Sequence, residues 1–243
     1  MRPRLLLRLP ALALVVLIVA TSPSEADLSL EAVLRFLGIS ASPSTQKGRS
    51  DEIETGDIWV ADLERVTRHA LTTGGGYRWP VFELSDKSVV ALKGDQLVRI
   101  PITRGAKTQV LCSLSGVDKL VGFDRDNPDR LLVMRNQPES PLAVLSVTSE
   151  KLQDLPYDRN DKDQRRMLAH IRGEERVYAR ARVYVMTESA QSLEGTREWT
   201  DVYIQQGDGK AKNVSRCDGS DCGQPSLSPD GKTVVYIQSL RDH

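Results

Sequence analysis

Histidine and cysteine, from which many catalytic and metal sites are built, are scarce: the 243 residues include three of each. His69, His170 and His243 have no metal-ligand spacing, and we interpret them as structural or solvent-facing side chains. The nucleophile-elbow pattern G-x-S-x-G is also missing from the sequence. We therefore expect no catalytic residue, no cofactor and no metal site, which favours a protein that is not an enzyme.

An excess of charge of one sign is missing as well, since Lys and Arg number 33 and Asp and Glu number 33. Without a basic excess there is no electrostatic footprint for nucleic acid. The acidic runs at 124–129 and 158–163 lack the residue order of a calcium-binding loop, so we interpret them as solvated turns. We expect no nucleic-acid partner.

Long apolar runs are limited to one, Ala11 to Ala20. Arg2, Arg4 and Arg8 precede it, and Ser24-Glu25-Ala26 follows with small residues of the kind that signal peptidase reads. Ten apolar residues are too few to cross about 30 Å of hydrocarbon. Residues 1–26 are therefore predicted to be a cleavable signal peptide, giving a periplasmic or secreted protein with no transmembrane segment after cleavage.

The cysteines fit an oxidising compartment. Cys217 and Cys222 are close in sequence, and we expect them to form a disulfide. The alternative is a metal site, but two thiols without a nearby histidine or third cysteine make only half of a zinc site. Cys112, which follows Val110 and Leu111, is predicted to be a small buried apolar residue.

The segment at 27–55 differs from the rest of the chain. Its first part carries an apolar stripe with helical spacing, closed by Gly38, and predicts a short amphipathic helix. Residues 39–55 are rich in Ser, Gly and charged side chains, which is typical of a linker. The stripe consists of Leu30, Val33, Leu34 and Leu37.

Residues 56–243 show an internal repeat of short predicted strands. The stretch that begins at Asp57 and Trp59 has a good copy at Asp201 and Tyr203 and weaker copies starting at Asp95 and Pro141. Each copy is followed by a second short β run. Hairpins precede three of the copies, at Tyr77 to Leu92, Val117 to Met134, and Met167 to Met186, the last of which contains His170.

The copy at Asp57 has no hairpin before it, whereas an unused hairpin ends the chain at Pro225 to Ser239. If this hairpin completes the first unit, both ends of the repeat meet in one sheet. The sequence thus predicts an all-β fold, a β-propeller of about four four-stranded units closed by the two chain ends. We attribute the longest spacing between successive copies to an insertion at Thr187 to Thr200. The alternative is a shortened descendant of a six-bladed ring.

The best-preserved unit carries a turn motif, Ser228-Pro229-Asp230-Gly231-Lys232, between Pro225 and the strand TVVYI. With the stretch from Asp57 and Trp59 to Tyr77, this resembles the WD-repeat-like propeller repeats of the TolB-like periplasmic family. The unit at Ser85-Asp86-Lys87 departs from the motif because it lacks the glycine. The family also carries an α/β domain ahead of its propeller, for which residues 27–55 are too few.

This resemblance implies an exported scaffold that binds an envelope protein or peptide without catalysing a reaction. The alternative is a propeller enzyme, a lyase or hydrolase, whose polar residues converge in the central funnel from separate blades. Such a site leaves no linear motif, so the sequence keeps both hypotheses open, together with a purely structural role. The oligomeric state and the identity of the partner are left open as well.

Overall fold

The computed structural model describes residues 55–173, 176–178, 181–193 and 195–239. The predicted signal peptide, the amphipathic helix and nearly all of the linker lie outside this part of the chain. No helix among the described residues has the length and apolar character that a membrane span needs. The described elements are sixteen strands and one helix: β1 (Asp57–Asp62), β2 (Thr67–Ala70), β3 (Tyr77–Phe82), β4 (Ser88–Lys93), β5 (Gln96–Pro101), β6 (Gln109–Ser113), β7 (Val117–Phe123), β8 (Arg130–Arg135), β9 (Leu142–Ser146), β10 (Lys151–Asp154), α1 (Lys162–Arg172), β11 (Arg176–Tyr178), β12 (Ala181–Ser192), β13 (Gly195–Gln206), β14 (Lys212–Asn213), β15 (Asp221–Leu227) and β16 (Thr233–Ser239).

The strands form four antiparallel sheets of four strands each. Sheet I has the order β15-β16-β1-β2, and sheets II, III and IV are the meanders β3 to β6, β7 to β10 and β11 to β14. The all-β prediction with four four-stranded units is therefore confirmed, apart from one helix that was not expected.

Sheet I joins the two ends of the repeat region. β1 pairs with β16 along its whole length, from Asp57 opposite Gln238 to Asp62 opposite Thr233. β15 and β16 form the hairpin predicted at the end of the chain, although the first strand already begins at Asp221. The prediction that this hairpin supplies the missing strands of the first unit is confirmed.

Neighbouring sheets pack face to face in the order IV, I, II, III, with one apolar cluster at each contact. In sheets I and II, which have a neighbouring sheet on each face, the second strand contributes side chains to two clusters. Successive side chains of a strand point to opposite faces. Along β4, Val89 faces sheet I while Val90 faces sheet III; along β16, Val234 faces sheet IV while Val235 faces sheet II. This explains why these strands read as continuous apolar runs rather than as alternating ones.

The hairpin predicted at Met167 to Met186 is wrong in its first half, because α1 occupies Lys162–Arg172. The Asp161 side chain caps the helix by accepting hydrogen bonds from the amides of Asp163 (2.8 Å) and Gln164 (3.2 Å). Leu168 and Ile171 then pack on the face of sheet III that points away from sheet II. His170 consequently lies in this helix and not in an inner strand.

The predicted insertion at Thr187 to Thr200 is a continuation of the β12–β13 hairpin. The two strands stay paired from Ala181 opposite Gln206 out to Ser192 opposite Gly195. β11 and β14 pair only with the base of this hairpin. The inserted residues therefore form a two-stranded ribbon that extends beyond the rest of sheet IV.

Gly56 lies where the ends of the repeat region meet, and we expect Gly56→Ala to be strongly destabilising. A Cβ atom at this position would stand 2.3 Å from the backbone oxygen of Gln238, so β1 and β16 would have to separate locally. We expect a loss of about 1–3 kcal/mol in the free energy of unfolding, measured by urea denaturation. Gly173→Ala is the control, since its Cβ would meet only the His170 oxygen at 3.4 Å. Equal stability of the two variants would contradict the tight contact at the chain ends.

Candidate functional site

The turn motif between β15 and β16 is organised by a serine. Ser228 Oγ donates to Asp230 Oδ1 (2.6 Å) and accepts from the amides of Lys232 (3.2 Å) and Thr233 (2.9 Å). Gly231 adopts φ 75°, a left-handed conformation that glycine takes without strain. Pro229 lies exposed beside it. Within this turn the Ser228 and Asp230 side chains accept from the amides of Lys232 and Thr233, and the Ser228 backbone oxygen accepts from the Gly231 amide.

The corresponding turn of sheet II keeps this shape without the glycine. Asp86 occupies the position of Gly231 with φ 56°, and its amide donates to the Glu83 oxygen as the Gly231 amide donates to the Ser228 oxygen. Glu83 takes the place of Ser228 and accepts a hydrogen bond from the Ser88 hydroxyl. A motif that is degenerate in sequence is therefore preserved in backbone geometry.

Two aspartates of the repeat motif, Asp57 and Asp201, make equivalent contacts. Asp57 Oδ1 accepts from the Thr72 hydroxyl (3.2 Å) and the Gly75 amide (2.9 Å). Asp201 Oδ1 accepts from the Ser215 hydroxyl (2.6 Å) and the Cys217 amide (2.6 Å). In both cases the hydroxyl also accepts from the amide that follows the aspartate, at 2.8 Å. Each aspartate thus fixes the connection that leaves the outermost strand of its sheet.

The aromatic residues two positions after these aspartates have different surroundings. Trp59 is half-buried beneath the Arg68 guanidinium, at 5.4 Å from the ring centroid. Tyr203 stacks on Tyr184 with centroids 6.1 Å apart, and its hydroxyl donates to Glu188. Burial, followed by the hydrogen bond and charge of Glu188, raises the pKa of Tyr203 to about 12.

Cys217 and Cys222 form the predicted disulfide, at a Cα–Cα distance of 6.2 Å. Both cysteines are buried in the apolar cluster between sheets I and IV. Cys112 is a free thiol buried between sheets II and III, and burial raises its pKa. The disulfide therefore lies in the connection from β14 to β15, which also binds Asp201 through the Cys217 amide.

The first strands of sheets I, II and III meet where β3 contacts both β15 and β7, and the central contacts among them involve residues that the sequence analysis did not identify. Gln224 Oε1, on β15, accepts from the Trp79 amide on β3 (2.5 Å). Lys119, on β7, places its Nζ 4.0 Å from the centroid of the Trp79 ring and donates to the Arg172 and Gly173 oxygens at 3.0 and 2.7 Å. These contacts connect sheets I, II and III to the end of α1.

Trp79 and Gln224 occupy equivalent positions with the same unusual backbone. Each has φ 52° and directly precedes a proline, Pro80 or Pro225. The ladder register shifts at both places. A residue before proline ordinarily adopts an extended conformation, so the central contacts hold two residues in a strained one. Only the proline is visible in the sequence, which is why this centre could not be predicted.

The described residues contain no group of three or more His, Cys, Asp or Glu side chains with metal-binding geometry. His69 lies half-buried in β2 and His170 half-buried in α1, on sheets I and III, so the fold does not bring them into one cluster.

A groove of about 930 Å³ runs between sheets I and IV. The β1–β2 turn and the 230–232 turn form one side, and the segments at 204–210 and 212–216 form the other. Val66 lies in the lining with 71% of its surface exposed and φ 55°. A β-branched residue rarely adopts this conformation, so the turn holds an apolar side chain in solvent at the cost of strain.

All three acidic side chains that line the groove already make hydrogen bonds or an ion pair. Asp62 accepts from the amides of Glu64 (3.0 Å) and Arg65 (2.8 Å). Glu64 pairs with Lys232 at 2.8 Å. Burial would raise the pKa of Asp230, but hydrogen bonds from Ser228 and the Lys232 amide and the charge of Lys232 hold it below its ordinary value.

The basic side chains of the groove are more numerous than the acidic ones. Arg68 is engaged with the Ser215 oxygen and the Trp59 ring, and Lys232 is paired with Glu64. Within the part of the chain that the structure describes, no ion pair involves the three remaining cations of the lining, Lys210, Lys212 and Arg216. All three are exposed. The groove therefore carries a local positive charge in a chain with no net charge.

Asp201 should contribute more to stability than its repeat counterpart Asp57. Asp201 is 1% exposed and accepts from four donors, because the Trp199 indole (3.0 Å) and the Asn213 amide (2.9 Å) bind its second oxygen. We expect Asp201→Ala to lower the free energy of unfolding by about 3–5 kcal/mol and Asp57→Ala by about 1–2 kcal/mol. Urea denaturation measures both. The exposed Asp208→Ala serves as the control, and equal losses at the two repeat positions would contradict the assignment.

Asp86→Asn should raise stability in a pH-dependent manner. Burial, followed by the charge of Asp230, raises the pKa of Asp86 above its ordinary 3.8. The ionised side chain therefore disfavours folding above this pKa, and the cost disappears below 3.8, where both states are protonated. We expect the variant to melt higher than the wild type at pH 7 and equally near pH 3. The control is Asp126→Asn, which lies exposed in the corresponding turn of sheet III; a gain that does not depend on pH would rule out this origin.

No family model matches the sequence, and no curated protein matches it. Among solved structures, the chain is similar to a provisionally assigned TolB from Agrobacterium tumefaciens, with 12% identity, a TM-score of 0.35 and 73% of this chain covered. It is also similar to an acylaminoacyl peptidase from Pyrococcus horikoshii, with 8% identity, a TM-score of 0.27 and 70% of this chain covered. The matches span 59% of the first structure and 40% of the second.

Proposed function

We propose that this chain is an exported, non-enzymatic scaffold with an open β-propeller architecture. Its task is to bind a segment of an envelope protein or peptide in the groove between sheets I and IV. The observation that carries the proposal is the groove itself, with its exposed Val66 and its three cations without an ion pair among the described residues.

The order of the sheets supports the propeller architecture. Every sheet runs from its innermost to its outermost strand without a crossover, except where the chain ends meet in sheet I. The innermost strand β3 contacts both β15 and β7, as adjacent blades of a ring would. α1 covers the free face of sheet III, so the four sheets form an arc whose last face is closed by a helix.

Export is supported by the disulfide between Cys217 and Cys222, because such bonds persist mainly in oxidising compartments. The signal-peptide pattern of residues 1–26 points to the same compartment and remains a prediction.

A binding role suits the groove better than a catalytic one. Its acidic side chains serve the turns that shape it, and its volume lies near the top of the range of about 300–1,000 Å³ for ligand sites. Since strand edges and turns line it, an extended peptide segment fits its shape better than a compact metabolite does.

The test is selection of a random peptide library on protein recovered from the periplasm of an expressing bacterium. Selected peptides are expected to bind the wild type saturably in fluorescence anisotropy, and at least about tenfold more weakly to Thr67→Trp. Thr67 is the exposed first residue of β2 in the groove lining, where an indole would fill the space.

The matched control is Thr108→Trp, an exposed position beside the outermost strand of sheet II, which should bind like the wild type. Failure to select any saturable peptide, or peptides that ignore Thr67→Trp, would overturn the proposed function. N-terminal sequencing of the same preparation tests export, with Asp27 as the expected first residue.

A further inference from the structure

We infer that the partner segment is an acidic, extended peptide whose carboxylates bind Lys210, Lys212 and Arg216. This inference rests on the proposed function and specifies its ligand. The three cations lie within seven residues on one side of the groove, around β14.

The positive charge of these three side chains is available to a ligand. Lys210, Lys212 and Arg216 are exposed and form no ion pair within the described ranges. The acids across the groove already have other partners, since Asp62 and Asp230 hold their own turns and Glu64 pairs with Lys232. Five basic and three acidic side chains line the groove, Arg68, Lys210, Lys212, Arg216 and Lys232 against Asp62, Glu64 and Asp230.

The opposite side of the groove offers apolar contact. Val66 is exposed there, and Leu63 is half-buried in the lining on the same side. An extended peptide presents alternate side chains to opposite sides. A segment that alternates carboxylates with aliphatic residues would therefore satisfy the cations on one side and cover Val66 on the other.

A nucleic acid is a weaker match for the same charge. Phosphate-backbone binding relies on a basic excess over a wide surface, whereas this chain has equal numbers of basic and acidic residues. An oligonucleotide would also leave Val66 without apolar contact. The acidic peptide accounts for both the cations and the exposed valine.

The experiment measures fluorescence anisotropy of labelled synthetic peptides on the full chain. The three peptides alternate valine with glutamate, with glutamine or with lysine, and a single-stranded oligothymidine is the fourth probe. The charge variant combines Lys210→Gln, Lys212→Gln and Arg216→Gln. Its control removes the same charge elsewhere, through Arg104→Gln and Lys107→Gln in the β5–β6 connection and Lys151→Gln in β10, all of which are exposed.

We expect the glutamate peptide to bind at least about tenfold more tightly than the glutamine peptide at low salt. Each neutralised cation should weaken it about two- to fivefold, so the charge variant loses about ten- to a hundredfold while the control triple binds normally. Added salt should narrow the difference. Thermal melting of both triple variants verifies that they remain folded.

Equal binding of the glutamate and glutamine peptides, or an unchanged affinity of the charge variant, would overturn the inference. If Thr67→Trp still abolished that binding, the proposed function would stand without the charge preference. Tighter binding of oligothymidine than of any peptide would replace the acidic peptide with a nucleic acid. If none of the four probes binds and library selection also fails, the groove is not a binding site and both proposals fail.

Discussion

The antiparallel pairing of β1 with β16 is the constraint on which the rest of the structure depends. It places strands from the two ends of the repeat region in one sheet, and sheet I then separates sheets II and IV. Val234 and Tyr236 of β16 face sheet IV while Val235 and Ile237 face sheet II. Loss of this pair would therefore remove sheet I from both of its apolar contacts, and with it one side of the groove.

The repeat architecture was predictable because its signals are local. Apolar runs, turn residues and the Asp57 copy of the Asp-x-aromatic pattern place nearly all of the strands of sheets I, II and III, and the Asp201 copy places β13 of sheet IV. The first half of the Met167 to Met186 hairpin was wrong because its apolar residues were read without their helix signal. Asp161 followed three positions later by Gln164 is a helix-capping pattern, and Leu168 and Ile171 have helical spacing.

The candidate site could not be predicted from the sequence for a different reason. The groove combines the β1–β2 turn with the segment around β14, which lie more than a hundred residues apart in the chain. No local pattern marks Lys210, Lys212 and Arg216 as cations without a counter-ion, because this depends on which acids the fold brings near them. The central contact of Gln224 with the Trp79 amide is hidden in the same way, since it joins residues from two sheets.

The antiparallel sense of the β1–β16 pair also determines how the molecule would respond to mechanical tension. Asp57 opens β1 opposite Gln238, the penultimate residue of β16, so both strands leave the pair at the same end. A pull between Asp57 and Gln238 would load the hydrogen bonds of the pair one after another, rather than all together in shear. Tension applied across these two residues would therefore separate β1 from β16 before it reached the other strand pairs.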